Sequence, residues 1–205
     1  MTAADLLRSD LRLITEMVPP GSRVLDLGCG DGSLMAHLRD EKRCTVRGVD
    51  LSPEDIASAL ARGLSVVQID LDEGLAGYRD GSFDFVVLSQ TLQVVRRPAF
   101  VLREMLRVGQ RGIVTFPNFG HWRVRGYLAL KGRMPVSRSI PFTWYDTPNI
   151  HHTTITDFRD FVTANGGAIE REVPLATSGW AGAARPVRVW PNLLADTAVA
   201  LVRRA

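Results

Sequence analysis

The chain has 205 residues, of which 45% are hydrophobic and 23% charged; its net charge is +3 and its isoelectric point about 9.2. A chain of this length can bury a substantial core, no apolar run reaches the ~18 residues of a membrane span, and no basic stretch leads into an apolar one at the N-terminus, so neither a span nor a secretory leader is expected. Cys29 and Cys44 have no CxxC partner, which argues against structural zinc and for reduced thiols in a cytoplasmic protein.

In chain order, residues 4–17 place Leu6, Leu7, Leu11, Ile14 and Met17 at helical spacing, and Pro19-Pro20-Gly21 ends that helix. Val24, Leu25 and Leu27 suit a buried strand, which breaks into Gly28, Gly30 and Gly32, with Ser33 as a candidate N-cap for a helix over 33–39. Strands follow at 44–52, 65–70, 83–90 and 112–117, with helices over 53–62, where Pro53 suits the first turn, and over 98–108. A helix over 155–165 is capped by Thr154 and stopped by Gly166-Gly167. The last two strands, 168–174 and 197–203, are expected as an antiparallel edge pair. Alternating strands and helices predict an α/β fold, with helices on both faces of a mostly parallel sheet of seven strands. The chain is expected to be one domain over 1–205, in which 117–153 is an insertion without a clear period; a loop that long is usually functional.

The glycine turn suits a nucleotide-binding sheet, in which the backbone bends tightly and approaches a ligand closely. Two cofactors compete for it. The dinucleotide fingerprint G-x-G-x-x-G needs a third glycine where Ser33 stands. The spacing from Asp26 to Gly32 is instead D-x-G-x-G-x-G, which resembles the first motif of class I methyltransferases, binders of S-adenosylmethionine (SAM). That resemblance implies a Rossmann-like methyltransferase fold, with Asp26, Gly28, Cys29, Gly30, Asp31 and Gly32 around the cofactor and the two acids near its amino-acid end. The alternative is a glycine-rich turn that binds nothing.

The later strand ends add polar groups. Asp50, 20 residues beyond Gly30, sits about where an acid meets a ribose in such folds, with Leu51 beside it. Asp70 ends the third strand, next to Leu71, and in the methyltransferase pattern an acid here faces the adenine amino group. Asp72 and Glu73 read as solvated turn. Ser89 and Gln90 lie at the mouth of the fourth strand, and ligands of open α/β sheets bind at these carboxyl ends.

Between Met105 and Tyr145 stand seven basic residues, Arg107, Arg111, Arg123, Arg125, Lys131, Arg133 and Arg138, and no acid. With +3 overall, the rest of the chain carries −4, so the basic bias is local. Phe116, Phe119, Trp122, Tyr127, Phe142, Trp144 and Tyr145 are interleaved with it. The pattern fits a docking surface, a lid over the ligand, or a nucleic-acid face.

The phrases QIDLDEGL (68–75), LSQTLQVVRRP (88–98), TFPNFGHWRVR (115–125), GRMPVS (132–137), PFTWYDTPNIH (141–151) and WPNLLAD (190–196) closely resemble the methionine-biosynthesis protein W (MetW) family. The resemblance covers nearly the whole chain. It implies a class I methyltransferase fold, SAM or S-adenosylhomocysteine as ligand, and a homoserine O-acyltransferase, an α/β-hydrolase, as partner. Own methyl transfer stays open. The N/D-P-P-Y/F run used for amide and adenine nitrogens is replaced by Ser89-Gln90-Thr91-Leu92, and no cysteine follows strand four. Candidate bases are His121, His151, His152, Tyr145 and Asp146; no metal spacing stands out. Three functions follow: an accessory subunit of the acyltransferase, an active small-molecule methyltransferase, or a dinucleotide oxidoreductase.

Overall fold

A computed structural model of the protein describes residues 9–137, 139–177 and 184–205. The first five residues expected in the N-terminal helix, 4–8, and Arg138 of the basic run lie outside these. The helices are α1 (Ser9–Met17), α2 (Ser33–Lys42), α3 (Pro53–Ala61), α4 (Pro98–Val108), α5 (Trp122–Lys131), α6 (Ile155–Ala164) and the single turn α7 (Pro191–Leu194). The strands are β1 (Arg23–Leu27), β2 (Thr45–Asp50), β3 (Val66–Gln68), β4 (Phe83–Ser89), β5 (Gly109–Pro117), β6 (Gly167–Ala176), β7 (Arg185–Pro186) and β8 (Thr197–Arg204).

One sheet runs β3-β2-β1-β4-β5-β8-β6-β7. Its first five strands are parallel, while β8 is antiparallel to both β5 and β6. The described residues thus form eight strands where seven were expected; the extra one is the two-residue β7 at the edge of β6. β8 lies inside the sheet rather than at its margin, because its run of small residues fits a crowded position: Ala198 stands beside Phe116 in the ladder, whose ring packs on Phe158 at 4.4 Å.

The strands alternate between two cores, as a period of two requires. Val24, Phe85, Val87, Ile113 and Val199 face the cluster that includes Ile14 of α1 and Leu38 of α2. Leu25, Leu27, Val86, Leu88, Val114 and Phe116 face α4 and α6. Fully burying each such side chain contributes roughly 1.5–3 kcal/mol, so neither face can be stripped of its helices.

Three local expectations are corrected. The residue before α2 is Gly32, without a side-chain cap, and Ser33 is already helical, its hydroxyl bonded to Asp31 instead. α2 runs on to Lys42 because Arg43, not a glycine, takes the left-handed stop at φ 53°. The insertion contains α5, which has no apolar stripe to betray it: only Val124 is buried, and the helix is held by a His121 cap and a left-handed Gly132. By contrast Thr154 caps α6 as expected, in a full capping box with Asp157.

Asn118, just past β5, is 1% exposed and knits three elements together. Its amide donates to Asn192 O and Ala195 O, at 3.1 and 2.7 Å, and its Oδ1 accepts from the N–H groups of Gly120 and Ile155, at 2.9 and 3.3 Å. Asn118→Ala is expected to lower stability by about 3 kcal/mol, since buried partners lose their bonds. A urea midpoint unchanged from wild type would show that the knot is dispensable.

Candidate functional site

β1 pairs with β2 on one side and β4 on the other, so the strand order reverses there and a crevice opens outside the strand ends. The glycine turn fills that position. Gly28, Gly30 and Gly32 all have positive φ, at 73°, 54° and 77°. A side chain in this region costs about 1–2 kcal/mol per residue. Gly28 N and Cys29 N both donate to Val49 O, at 2.8 and 3.1 Å, which ties the turn to the end of β2. A Cβ on Gly28 would come within 2.6 Å of Thr91 Oγ1, so the loop after β4 seats directly on the turn. Beyond its two chain neighbours, nothing lies within 4 Å of the Cβ position of Gly30, so the turn presents open backbone there.

Asp50 completes the joint. Its Oδ2 accepts from Gly30 N at 2.7 Å, and its Oδ1 accepts from Leu51 N and Ser52 N at 2.7 and 3.0 Å. Each carboxylate oxygen has two lone pairs, so Oδ2 retains capacity for a hydroxyl donor. Leu51 is 58% exposed beside it, an apolar surface next to a fixed carboxylate. Ile69 N donates to Asp50 O at 3.0 Å and brings the end of β3 alongside, where Asp70 Oδ1 caps a short turn through Asp72 N at 2.9 Å. Leu71 is buried in the main core.

Of the other expected residues, Asp26 and Cys29 are buried while the Asp31 side chain is half exposed. Asp26 is buried in β1, in register with Gly48 and Val87. Cys29 packs with Met35, Ala59 and Leu64, and burial, reinforced by nearby Asp26 and Asp50, pushes its thiol up to about 12. It therefore stays protonated at neutral pH. Asp31 accepts from Ser33 N and Oγ and pairs with Arg62 at 2.6 Å. Burial raises its pKa, but those bonds outweigh it and hold the carboxyl below its ordinary range. Asp31 is thereby committed to the start of α2.

At the mouth of β4, Ser89 Oγ lies 3.3 Å from Thr115 Oγ1, and Gln90 adopts φ 56°. A non-glycine residue in the left-handed region stores roughly 1–3 kcal/mol of strain, and such residues cluster at functional sites. Gln90 is held there by its N–H on Thr115 O and Oγ1, both 3.0 Å, and by Gln93 Nε2 on its carbonyl at 2.8 Å.

Gln93 and Asp72 carry structural roles that sequence reasoning did not assign. Gln93 O accepts from Ile150 N and His151 N, at 2.9 and 3.1 Å, anchoring the end of the insertion on the β4 loop. Asp72, expected in solvated turn, accepts from Arg96 N and Arg97 N at 2.9 and 2.7 Å. Both partners are backbone groups distant in sequence, so no local pattern announces them.

Among the candidate bases, His151 has its Nε2 buried without a hydrogen-bond partner, and each of the other four has a contact of its own. His121 is buried and accepts from Arg123 N through Nδ1 at 3.3 Å. The ring of His152 packs on Phe119 at 4.5 Å, Tyr145 packs on Trp144, and Asp146 accepts from the Thr143 hydroxyl. Among the described residues, no three His, Cys, Asp or Glu side chains group as a metal site, and no helix is long and apolar enough to cross a membrane.

A family model described as methionine biosynthesis protein MetW matches residues 8–202. The chain belongs to the MetW family. A bifunctional methionine biosynthesis protein MetXA/MetW from Rhodopirellula baltica is 38% identical across 97% of the MetW-family chain, which spans only 33% of that relative's length. Among solved structures, an S-adenosylmethionine dependent methyltransferase from Mesorhizobium loti superposes with a TM-score of 0.70 at 21% identity, covering 98% of this chain and 99% of that one. The magnesium protoporphyrin IX methyltransferase of Synechocystis, solved with S-adenosylhomocysteine, gives 0.63 at 18%, covering 96% of this chain and 80% of that one. These likenesses establish the Rossmann-like methyltransferase fold.

Burial holds the His121 imidazole below its ordinary pKa, with Asp196 opposing and Arg123 assisting. The unfolded chain then binds the proton more readily, so stability rises with pH across this window. Acidification from pH 7.5 to 5.5 is expected to destabilise the wild type more than His121→Asn, which keeps a capping side chain but does not titrate. Parallel denaturation curves at both pH values, with identical losses, would remove His121 as the source.

Proposed function

We propose that this MetW-family chain binds SAM or S-adenosylhomocysteine at the ends of β1 to β4 and acts as an accessory subunit of a homoserine O-acyltransferase. The observation that carries the ligand reading is the Asp50–Gly30 bond beneath the open surface of Gly30. It fixes a carboxylate at the foot of a backbone that a ligand can approach, with exposed Leu51 alongside. The residues fit the cofactor. Asp50 would accept from the ribose hydroxyls, while Gly28, Gly30 and Gly32 would give the backbone room. Leu51, Asp70 and the Leu71 backbone would meet the adenine end, Ser89 and Gln90 the β4 side, and Asp26, Cys29 and Asp31 would support the amino-acid end. When bound, SAM supplies an activated methyl group; this chain's own residues bind and orient.

The accessory role is favoured over methyl transfer because His121, His152 and Asp146 already serve as cap, stacking partner and turn acceptor, and His151 has its Nε2 buried rather than open to an acceptor. The partner reading draws on the Rhodopirellula relative, which carries both names on one polypeptide. A fused pair works at high effective concentration, and an association of that kind calls for a contact surface. The insertion provides one, with Trp144 and Tyr145 exposed. The pathway's downstream product bound in the crevice would make the subunit a sensor.

Asp50→Ala is expected to weaken SAM binding by ~1.5–3 kcal/mol in a calorimetric titration, the loss of charge-assisted hydrogen bonds; equal affinity would move the ribose elsewhere. Acyl transfer by the co-expressed homoserine O-acyltransferase is expected to rise when this chain is present. Equal rates with and without it would end the accessory reading.

A further inference from the structure

The partner reading leaves open where the acyltransferase sits. α5 is an unusual surface helix: Leu130 is 85% exposed, Trp122, Tyr127 and Leu128 are also exposed, and only Val124 is buried. A helix that buries one residue of ten gains little from its own core and leaves an apolar patch of the kind that marks interaction sites. Facing it, Pro135, Val136, Ser137 and Ser139 close a groove of about 530 Å³, whose apolar lining is Trp122, Tyr127, Leu130, Pro135 and Val136. Its floor holds His121, already used as a cap, and Asp196, whose carboxylate accepts from Thr177 N and Oγ1. The polar floor is therefore satisfied from within, and the walls call for apolar side chains.

The rim has a definite sign. Arg107 and Arg111, early in the basic run, are neutralised by Glu104, Asp80 and Glu170. Arg123, Arg125, Lys131 and Arg133 take part in none of the ion pairs among the described residues. Arg123 and Lys131 line the groove itself, and Arg123 stacks over the Trp122 ring at 5.3 Å. Unneutralised cations thus flank an apolar trough. A second copy of this chain would bring the same positive rim and be repelled. A nucleic acid would match the rim but leave the apolar walls without a hydrophobic partner.

We propose that this groove seats an acidic segment of the acyltransferase, with apolar side chains inserted between α5 and the Pro135–Val136 wall and carboxylates against Arg123 and Lys131. The proposal rests on the partner reading above and specifies the surface and the chemistry that reading does not.

The test is affinity of the full chain for the purified homoserine O-acyltransferase at low and at higher salt. Wild type should bind, and weaken as salt rises. The Arg123→Glu/Lys131→Glu variant should lose at least 30-fold and show a flatter salt response; Leu130→Ser should lose about 10-fold. Both changes are on exposed side chains, so SAM affinity should match wild type and report an intact fold. Wild-type affinity in both variants, with loss confined to Trp144→Ala, would overturn the groove while leaving the partner reading standing. No binding by wild type would overturn both. Self-association abolished by Leu130→Ser, or displacement of the acyltransferase from the groove by a short RNA, would reassign the groove and overturn the proposal.

Discussion

The carboxylate of Asp50 accepts from Gly30 on one oxygen and from Leu51 and Ser52 on the other, and much of the site follows from that joint. Gly30 can present its N–H only because it and its alternate neighbours occupy left-handed backbone. Asp50 can meet it only because β1 and β2 are adjacent and parallel, with their ends level. Once joined, the turn leaves a bare stretch of backbone facing the crevice, and the loop after β4 closes against Gly28 through Thr91.

The scaffold makes this joint stiff. Parallel strands buried on both faces leave no soft side, and the parity of each strand sends alternate residues to separate cores. At the crevice end the ties are polar. Gln93 holds Gln90 and the insertion, Asp72 holds the start of the segment leading to α4, and Asn118 holds β5, α6 and α7. A core alone would not place these loops, since apolar packing is non-directional whereas each of these bonds selects one partner.

The insertion obeys a different rule. It is anchored at both ends, by Phe119 N on Thr153 O at 3.1 Å and by Ile150 and His151 on Gln93, yet its helix exposes most of its apolar side chains. In this MetW-family chain the β4 loop, in which Gln90 is strained, touches both the glycine turn and the end of the insertion.

The sequence by itself determined the parallel sheet, the glycine turn, Asp50 at the second strand end and the capped start of α6. Each rests on a local signal: hydrophobic parity, residues with special φ, or a capping pair within four positions. Tertiary structure decided the rest. Asp31 pairs with Arg62, 31 residues away, a contact that no local spacing announces. Asp72 reads as solvated until Arg96 and Arg97 arrive beside it. α5 has no periodic stripe, and β8 takes an interior place because its alanines fit beside Phe116. These outcomes depend on partners far along the chain, and a hydrogen bond or packing contact between distant residues leaves no spacing in the sequence to read.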